Sequence, residues 1–400
     1  MNESTSGRKP IVPESVVVAS FGRSGHDNFA RSMEKNGLLA FYALGTRRGT
    51  QGVSPPHTRL NPVFGLLNYA AVKCLPPFQA ESFRYRLYPL FDRWVRSLLR
   101  PGQHLITSFG FTNSGIDWIR RHSGWTFIDA ENSHPDSFWE VLSEEQRRWG
   151  SRYPPVSRFY NRLGAASAER ADYIFTPSSF VRDSFLARGF KAERVWRYTL
   201  PTNLDWFQPD ASPRPEARPL TLLNTGALCL RKGTPYLLEA FRIIRKVEPN
   251  AVLRLSRTIA DDIKEVLHRY SDIPIDWSPY FDLRFEDQRR QYVSRFQSSD
   301  VFVFPSIEDG FAFVVAEALA SGLPVVTTKN TGASDLVHPE DNGDVVPIRS
   351  PEALASSILK WGKRVREGYQ PPSLAATRQA LNFEAFDRTV LNYMMSLNSK

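Results

Sequence analysis

Two series of alternating strand and helix patterns, held apart by a proline-dense stretch, most constrain what this chain can fold into. The first opens at residues 11–20, where the β-branched run Val16, Val17, Val18 predicts a strand. Phe21, Gly22, Arg23, Ser24 and Gly25 read as the following turn, and a helical pattern begins at His26 and runs to Lys35. Further strands are expected at 38–43, 105–109, 126–128 and 173–176, the last preceded by a helix over 165–171. From Pro209 to Pro219 there are four prolines in eleven residues, a linker composition. Beyond it the pattern repeats, with strands at 220–224, 251–255, 301–304 and 324–327 and helices at 234–248, 312–321, 350–367 and 383–397. Such alternation predicts parallel sheets covered by helices on both faces. The expected fold is therefore α/β with two Rossmann-like domains facing each other across a cleft. Residues 1–200 form the first domain, 201–219 the linker, 220–380 the second domain and 381–400 a last helix. Segment 46–61, with Gly49, Gly52, Pro55 and Pro56, breaks the rhythm and reads as a long loop.

Composition removes several classes of function. Apolar residues at 42% and charged residues at 23% exclude a disordered chain. Two cysteines, Cys74 and Cys229, provide neither a disulfide framework nor a metal cluster. No apolar run approaches the ~20 residues that span a bilayer, and residues 1–10 are too polar for a secretory signal, so a cytoplasmic protein is expected. The net charge of +9 is unevenly placed: residues 1–200 carry 27 Lys and Arg against 17 Asp and Glu, the remainder 24 against 25. Residues 85–100 interleave arginines with Tyr, Leu, Phe and Trp. That pattern suits a peripheral position on an anionic membrane surface, and equally a helix with its apolar stripe in the core and its arginines solvated. Nucleic acid is not expected as a partner, because no RNA-binding aromatic signature, zinc-finger spacing or basic tail is present.

Two clusters carry chemistry. A strand ends at Phe304, a loop holds Glu308, Asp309 and Gly310, and a helix starts near Phe311 with Glu317 on its second turn. Strand C-termini and helix N-termini are where open α/β sheets take ligands and where backbone amides favour phosphate. Carboxylates beside such an anion site call for hydroxyl partners, and a sugar nucleotide supplies both groups. In the second cluster Gly226 closes the first strand of its domain, and Arg231, Lys232 and Gly233 precede a helix with Pro235 early in it. Arg231 suits bidentate phosphate contact, and Lys232 a point charge against a departing anion. Taken alone this pair also reads as a solvated basic turn; its place on the same sheet as the acidic loop favours the anion site.

Together, Gly226, Lys232-Gly233, Ser299-Asp300, Pro305-Ser306 and an acid-Gly-Phe with a glutamate eight positions after the acid resemble the nucleotide-sugar domain of family-four retaining glycosyltransferases. The resemblance is firm from Leu220 to about Arg364 and looser across the first half. It implies the GT-B arrangement, with the last helix crossing back to the first domain. It places the family's acidic pair on Asp309 and Glu317, Glu317 on the donor ribose and Asp309 towards the transferred sugar, with the register also admitting Glu308. It brings the amides of Gly310, Phe311 and Ala312 to sugar and phosphate, and assigns His134 and Gly25 to the first domain's side of the cleft. Where Ala312 stands the family more often has Gly, and where Ala227 stands many members have Arg. The implied reaction is metal-independent transfer, without a cofactor, from a UDP- or GDP-sugar to a glycan or lipid-linked saccharide in polysaccharide biosynthesis. Two other readings stay open, a nucleotide-sugar epimerase of the same architecture and a non-catalytic nucleotide-sugar-binding module. A phosphorylase would need a phosphate site or pyridoxal lysine that the sequence does not show.

Overall fold

The computed structural model describes residues 7–22, 26–46, 52–153, 157–202, 204–210, 218–256, 258–278, 280–369 and 374–399; Arg23, Ser24 and Gly25 lie outside them. The β-branched run at the start becomes β1 (Val16–Ser20), followed by α1 (His26–Lys35), β2 (Leu39–Leu44), β3 (Thr58–Leu60), α2 (Pro62–Cys74), α3 (Pro77–Leu98) and β4 (His104–Thr107). Next come α4 (Asn113–Arg121), β5 (Thr126–Asp129), α5 (Pro135–Trp149), α6 (Arg158–Arg170), β6 (Tyr173–Thr176), α7 (Ser179–Leu186) and β7 (Val195–Arg197). These strands form a parallel seven-stranded sheet in the order β3-β2-β1-β4-β5-β6-β7.

The second series contains β8 (Thr221–Thr225), α8 (Thr234–Val247), β9 (Val252–Ser256), α9 (Lys264–Leu267), β10 (Ile275–Ser278), α10 (Glu286–Gln297) and β11 (Val301–Phe304). It continues with α11 (Phe313–Ala320), β12 (Val325–Thr328), β13 (Gly343–Val346), α12 (Pro351–Arg366), α13 (Leu374–Ala380) and α14 (Phe383–Ser396). Its parallel sheet runs β10-β9-β8-β11-β12-β13. Inner strands such as β1, β4, β5, β8 and β11 are buried at every residue, which is why they read as near-continuous apolar runs. The segment expected as a loop at 46–61 carries the short edge strand β3 at its far end.

Helix α14 packs on the first domain. Phe386 stands edge-on to Phe29 of α1 with ring centroids 5.2 Å apart, and Tyr393 stacks on Trp196 of β7 at 4.3 Å. Lys35 pairs with Asp387 at 2.8 Å. The chain thus passes between the domains twice, and the passages touch where the Thr202 amide donates to the Leu381 carbonyl at 2.9 Å.

Polar contacts also join the domains directly. Buried Glu145 of α5 accepts from the Tyr236 hydroxyl at 2.8 Å and pairs with Arg349, which also reaches Glu144 at 2.9 Å. Asp335 accepts from the Ser179 amide at 2.7 Å and from Arg197 at 2.9 Å. Among the described residues no helix is long and apolar enough to cross a membrane.

Candidate active site

A cavity of 860 Å³ opens between the C-terminal ends of the two sheets. The second domain contributes Gly226 after β8, Arg231 and Lys232 before α8, Asp309 after β11, and Glu317 on α11. The first contributes Asp27 and Arg31 of α1, and Asp129 and Glu131 at the end of β5. At Gly226, φ is 131°, and an added Cβ would meet no atom within 4 Å, so this backbone faces open space. Any side chain here would both strain the turn and project into the cavity.

The basic turn and the acidic loop are fastened to each other. Gly233, at φ 68°, brings the turn so close to β11 that a Cβ would overlap the Pro305 carbonyl. The Arg231 carbonyl accepts from the Ile307 amide at 2.9 Å and the Ser306 hydroxyl at 3.1 Å. Arg231 Nη1 then reaches the Glu308 carbonyl at 3.0 Å and Asp309 Oδ2 at 3.4 Å, while Lys232 Nζ meets the same Asp309 oxygen. Burial and the neighbouring guanidinium pull the Lys232 ammonium down to about 7. Two cations converge on one carboxylate at the cavity wall, and a diphosphate arriving there meets both.

The structure separates the two candidates for the first acid. Asp309 lines the cavity, whereas Glu308 is fully buried and accepts from the Ser133 amide and hydroxyl, both at 3.0 Å, across the domain junction. Glu308 therefore bridges the domains and does not line the cavity, its other oxygen lying 3.5 Å from Arg231 Nη1. Gly310 packs against the first domain, where a Cβ would lie 2.7 Å from the Glu131 carbonyl carbon. The Phe311 amide turns back to Asp309 Oδ1 at 3.3 Å.

Ala312 caps α11 with φ 67°, so the helix begins at Phe313, and its first turn, with Phe313 and Val314, faces the cavity. A left-handed alanine costs about 1–2 kcal/mol, and glycine removes that cost while adding roughly 0.5–1 kcal/mol of chain entropy to lose. Ala312→Gly is therefore expected to raise stability by up to about 1 kcal/mol, read as a shift of the denaturation midpoint. A clear loss of stability would mean that the alanine methyl is held by packing worth more than the strain. On the second turn, burial pushes the Glu317 carboxyl up to about 7, opposed by the Tyr292 hydroxyl donating to it at 2.9 Å.

The first domain's wall corrects a further expectation. His134 does not face the cleft: its Nδ1 accepts from the Asp136 amide at 3.2 Å as the N-cap of α5, and its ring packs on Phe185 and Phe190. A histidine before Pro135 reads as a loop group in sequence, and its capping role depends on where α5 starts. The histidine behind the cleft is His26, fully buried, with Nε2 3.4 Å from Asp129 Oδ2 and Nδ1 3.7 Å from Glu131 Oε1. Burial drives its imidazole down to about 3, keeping it neutral, and drives Asp129 well upwards, with Glu131 adding to the rise and the Tyr198 hydroxyl opposing it. The ring stands between two carboxylates on different nitrogens, and His26, Asp129 and Glu131 each offer one possible ligand atom, all within 4.8 Å of one another.

Residues 219–363 match the family described as glycosyl transferases group 1. They are a group 1 glycosyltransferase domain. The chain is 30% identical over 139 residues to an uncharacterized glycosyltransferase of Haemophilus influenzae, covering 34% of this chain and 38% of that one. It spans less than two fifths of the length of the first curated relatives it matches. Over nearly the whole chain the fold is similar to two solved structures. The sucrose-phosphate synthase of Thermosynechococcus elongatus has a TM-score of 0.66 at 18% identity, covering 98% of this chain and 100% of that one. The HepE protein of Anabaena, solved with UDP, has a TM-score of 0.63 at 14% identity, covering 95% and 99%. The architecture is GT-B, two Rossmann-like domains facing across a cleft.

Within the group 1 domain the cavity gathers Gly226, Arg231, Lys232, Asp309, Phe311, Ala312 and Glu317. Glu308 and Gly310 stand at the domain junction, His134 under α5, and Gly25 outside the described residues. Sequence reasoning had no account of Trp206, Arg31 or Tyr292. Trp206 and Arg31 line the cavity, and Tyr292 stands behind it, donating to Glu317 at 2.9 Å and lying 3.3 Å from the Thr225 hydroxyl. None of the three sits at a strand end or in a glycine-rich turn, so no local signal marks them.

Proposed function

We propose that the protein is a retaining glycosyltransferase that moves a sugar from a UDP- or GDP-sugar to an acceptor hydroxyl. The observation that carries this reading is the convergence of Arg231, Lys232 and Asp309 at one end of the cavity with Glu317 on the facing turn of α11. The Anabaena neighbour solved with UDP supports a nucleotide in the equivalent cleft. Glu317 accepts the ribose hydroxyls, and the two cations and the first turn of α11 take the diphosphate. In the transfer step the bond between the anomeric carbon and the diphosphate breaks and the acceptor oxygen bonds to that carbon on the same face. The acceptor's proton passes to the departing phosphate oxygen. Lys232 and Arg231 neutralise the charge that develops there, the part a divalent metal would otherwise play, so no metal is needed. The acceptor is a glycan or lipid-linked saccharide of polysaccharide biosynthesis, met by the basic first domain at a membrane surface.

Calorimetric titration with UDP and GDP, with and without magnesium, tests this reading. One nucleotide is expected to bind without metal, and Glu317→Ala to weaken it by about 1–3 kcal/mol. No binding of either nucleotide to folded protein would end the sugar-nucleotide reading. The pH profile gives a sharper outcome. Binding needs Glu317 ionised and Lys232 charged, and both groups titrate near about 7. Affinity should therefore peak near neutrality and fall on either side, about tenfold per pH unit well away from the peak. Glu317→Gln should abolish the acid limb, and Lys232→Arg, whose guanidinium stays charged, the alkaline one. A flat profile would show that neither group titrates against the nucleotide. Donor hydrolysis without acceptor, followed by NMR, reads the anomer first released; an inverted sugar would overturn retention.

A further inference from the structure

Helix α2 has the sequence PVFGLLNYAAVKC, apolar along nearly its whole length, with Lys73 its one charge. Such a segment normally enters a core. Here Phe64 and Ala71 alone are buried, Phe64 against Phe91 and Trp94 of α3 with ring centroids 5.7 and 6.2 Å apart. The opposite arc faces outward: Val63, Leu66, Tyr69 and Val72 are 56, 68, 61 and 61% exposed.

The partner helix explains what that face meets. Helix α3 buries Tyr85, Tyr88, Phe91 and Val95, and its outward side carries exposed Arg86, Leu90, Arg93 and Arg96, with exposed Arg100 just past its C-terminal end. Steps of three and four residues set the four helical side chains on one stripe. Of the hairpin's two acids, Asp92 is buried on the Ser114 and Gly115 amides at 2.7 and 3.0 Å, and Glu81 is engaged by the Tyr85 hydroxyl at 2.6 Å. Arg86, Arg93 and Arg100 have no carboxylate partner among the described residues. An exposed apolar arc beside a stripe of arginines is complementary to one surface in particular, acyl chains beneath anionic headgroups. At 13 residues α2 is too short to span a bilayer and lies along it.

We propose that the hairpin of α2 and α3 seats this protein on an anionic lipid bilayer, with Val63, Leu66, Tyr69 and Val72 in the headgroup boundary and the α3 arginines against lipid phosphates. The inference names the membrane-facing side of the proposed enzyme and rests on that reading only for the acceptor's location. The apolar stripe of α3, the segment that drew notice in the sequence, goes into the core; the inserting face is the preceding helix.

Sedimentation of the full chain with phosphatidylcholine vesicles, plain or containing roughly 30 mol% phosphatidylglycerol, tests it. Binding is expected to the anionic vesicles alone and to weaken as salt rises. Leu66→Asp with Val72→Asp should reduce it roughly tenfold or more, and Arg86→Gln with Arg93→Gln and Arg100→Gln should remove the preference for anionic lipid. Wild-type protein that ignores both vesicle types or binds them equally overturns the proposal. So do variants that bind as wild type, or a wild-type dimer that the Leu66 and Val72 changes render monomeric, since a second copy would then cover the face. Nucleotide titration of the same variants reports their folding. Vesicle binding without nucleotide binding would retain the docking face and reject the sugar-transfer reading.

Discussion

Gly310→Ala is expected to leave nucleotide binding nearly unchanged and to lower turnover by roughly a hundredfold, the size of effect that misplacement of about 1 Å produces. Gly310 is absent from the residues with positive φ, so alanine suits the local backbone and the second domain should fold as before. The new methyl, however, overlaps the Glu131 carbonyl of the facing domain, and backbone there has no rotamer to yield. Ser133 with Glu308 sits beside that contact, so the clash forces the domains apart where they close most tightly. Paired calorimetry and donor turnover separate the two effects, and small-angle scattering should show a larger radius of gyration. Unchanged turnover would mean that this closed arrangement is not the reactive one.

Lys232→Ala should also lose mainly turnover, here because the group acts on the reacting centre. Its ammonium sits between the Phe304 ring, 5.0 Å away, and the Asp309 carboxylate, with Arg231 alongside. In a buried site of this kind, a charge aimed at a leaving group contributes about 3–4 kcal/mol, or 10²–10³ in turnover. Nucleotide binding should weaken as well, because the charged Lys232 meets the phosphates in the ground state, but by less than turnover, because Arg231 still reaches them. Steady-state kinetics with varied donor would place the loss in kcat. A loss confined to KM would reassign Lys232 to substrate binding.

The sequence disclosed the fold where a strand is buried on both faces, as at Val16, Val17 and Val18 or Val301 to Phe304, because burial demands continuous apolar side chains. Edge strands such as β3, β7 and β10 escaped notice: with one side bare, Thr58-Arg59-Leu60 or Ile275-Asp276-Trp277 carries no such demand. The second domain's half of the site was legible because Gly226, Lys232, Asp309 and Glu317 hang on strand ends and helix starts at short spacings. Choosing Asp309 over Glu308 was not, since adjacent loop residues point to opposite sides only once Ser133 of the other domain is in place. His134 was misplaced for a related reason. Its environment is made by Phe185 and Phe190, some fifty residues away in sequence, and nothing near it announces them.

The return of α14 bears on how the chain acquires its structure during synthesis. Phe386, Val390, Met394 and Leu397 belong to the same core as Phe29, Phe175 and Tyr198, so the first sheet made is sealed by a helix that leaves the ribosome only after the second domain. Until then the nascent first domain exposes aromatic surface while the whole second domain is being translated. Premature termination within the second domain would thus injure the part already synthesised, and quality control would meet one folding unit where the eye sees two.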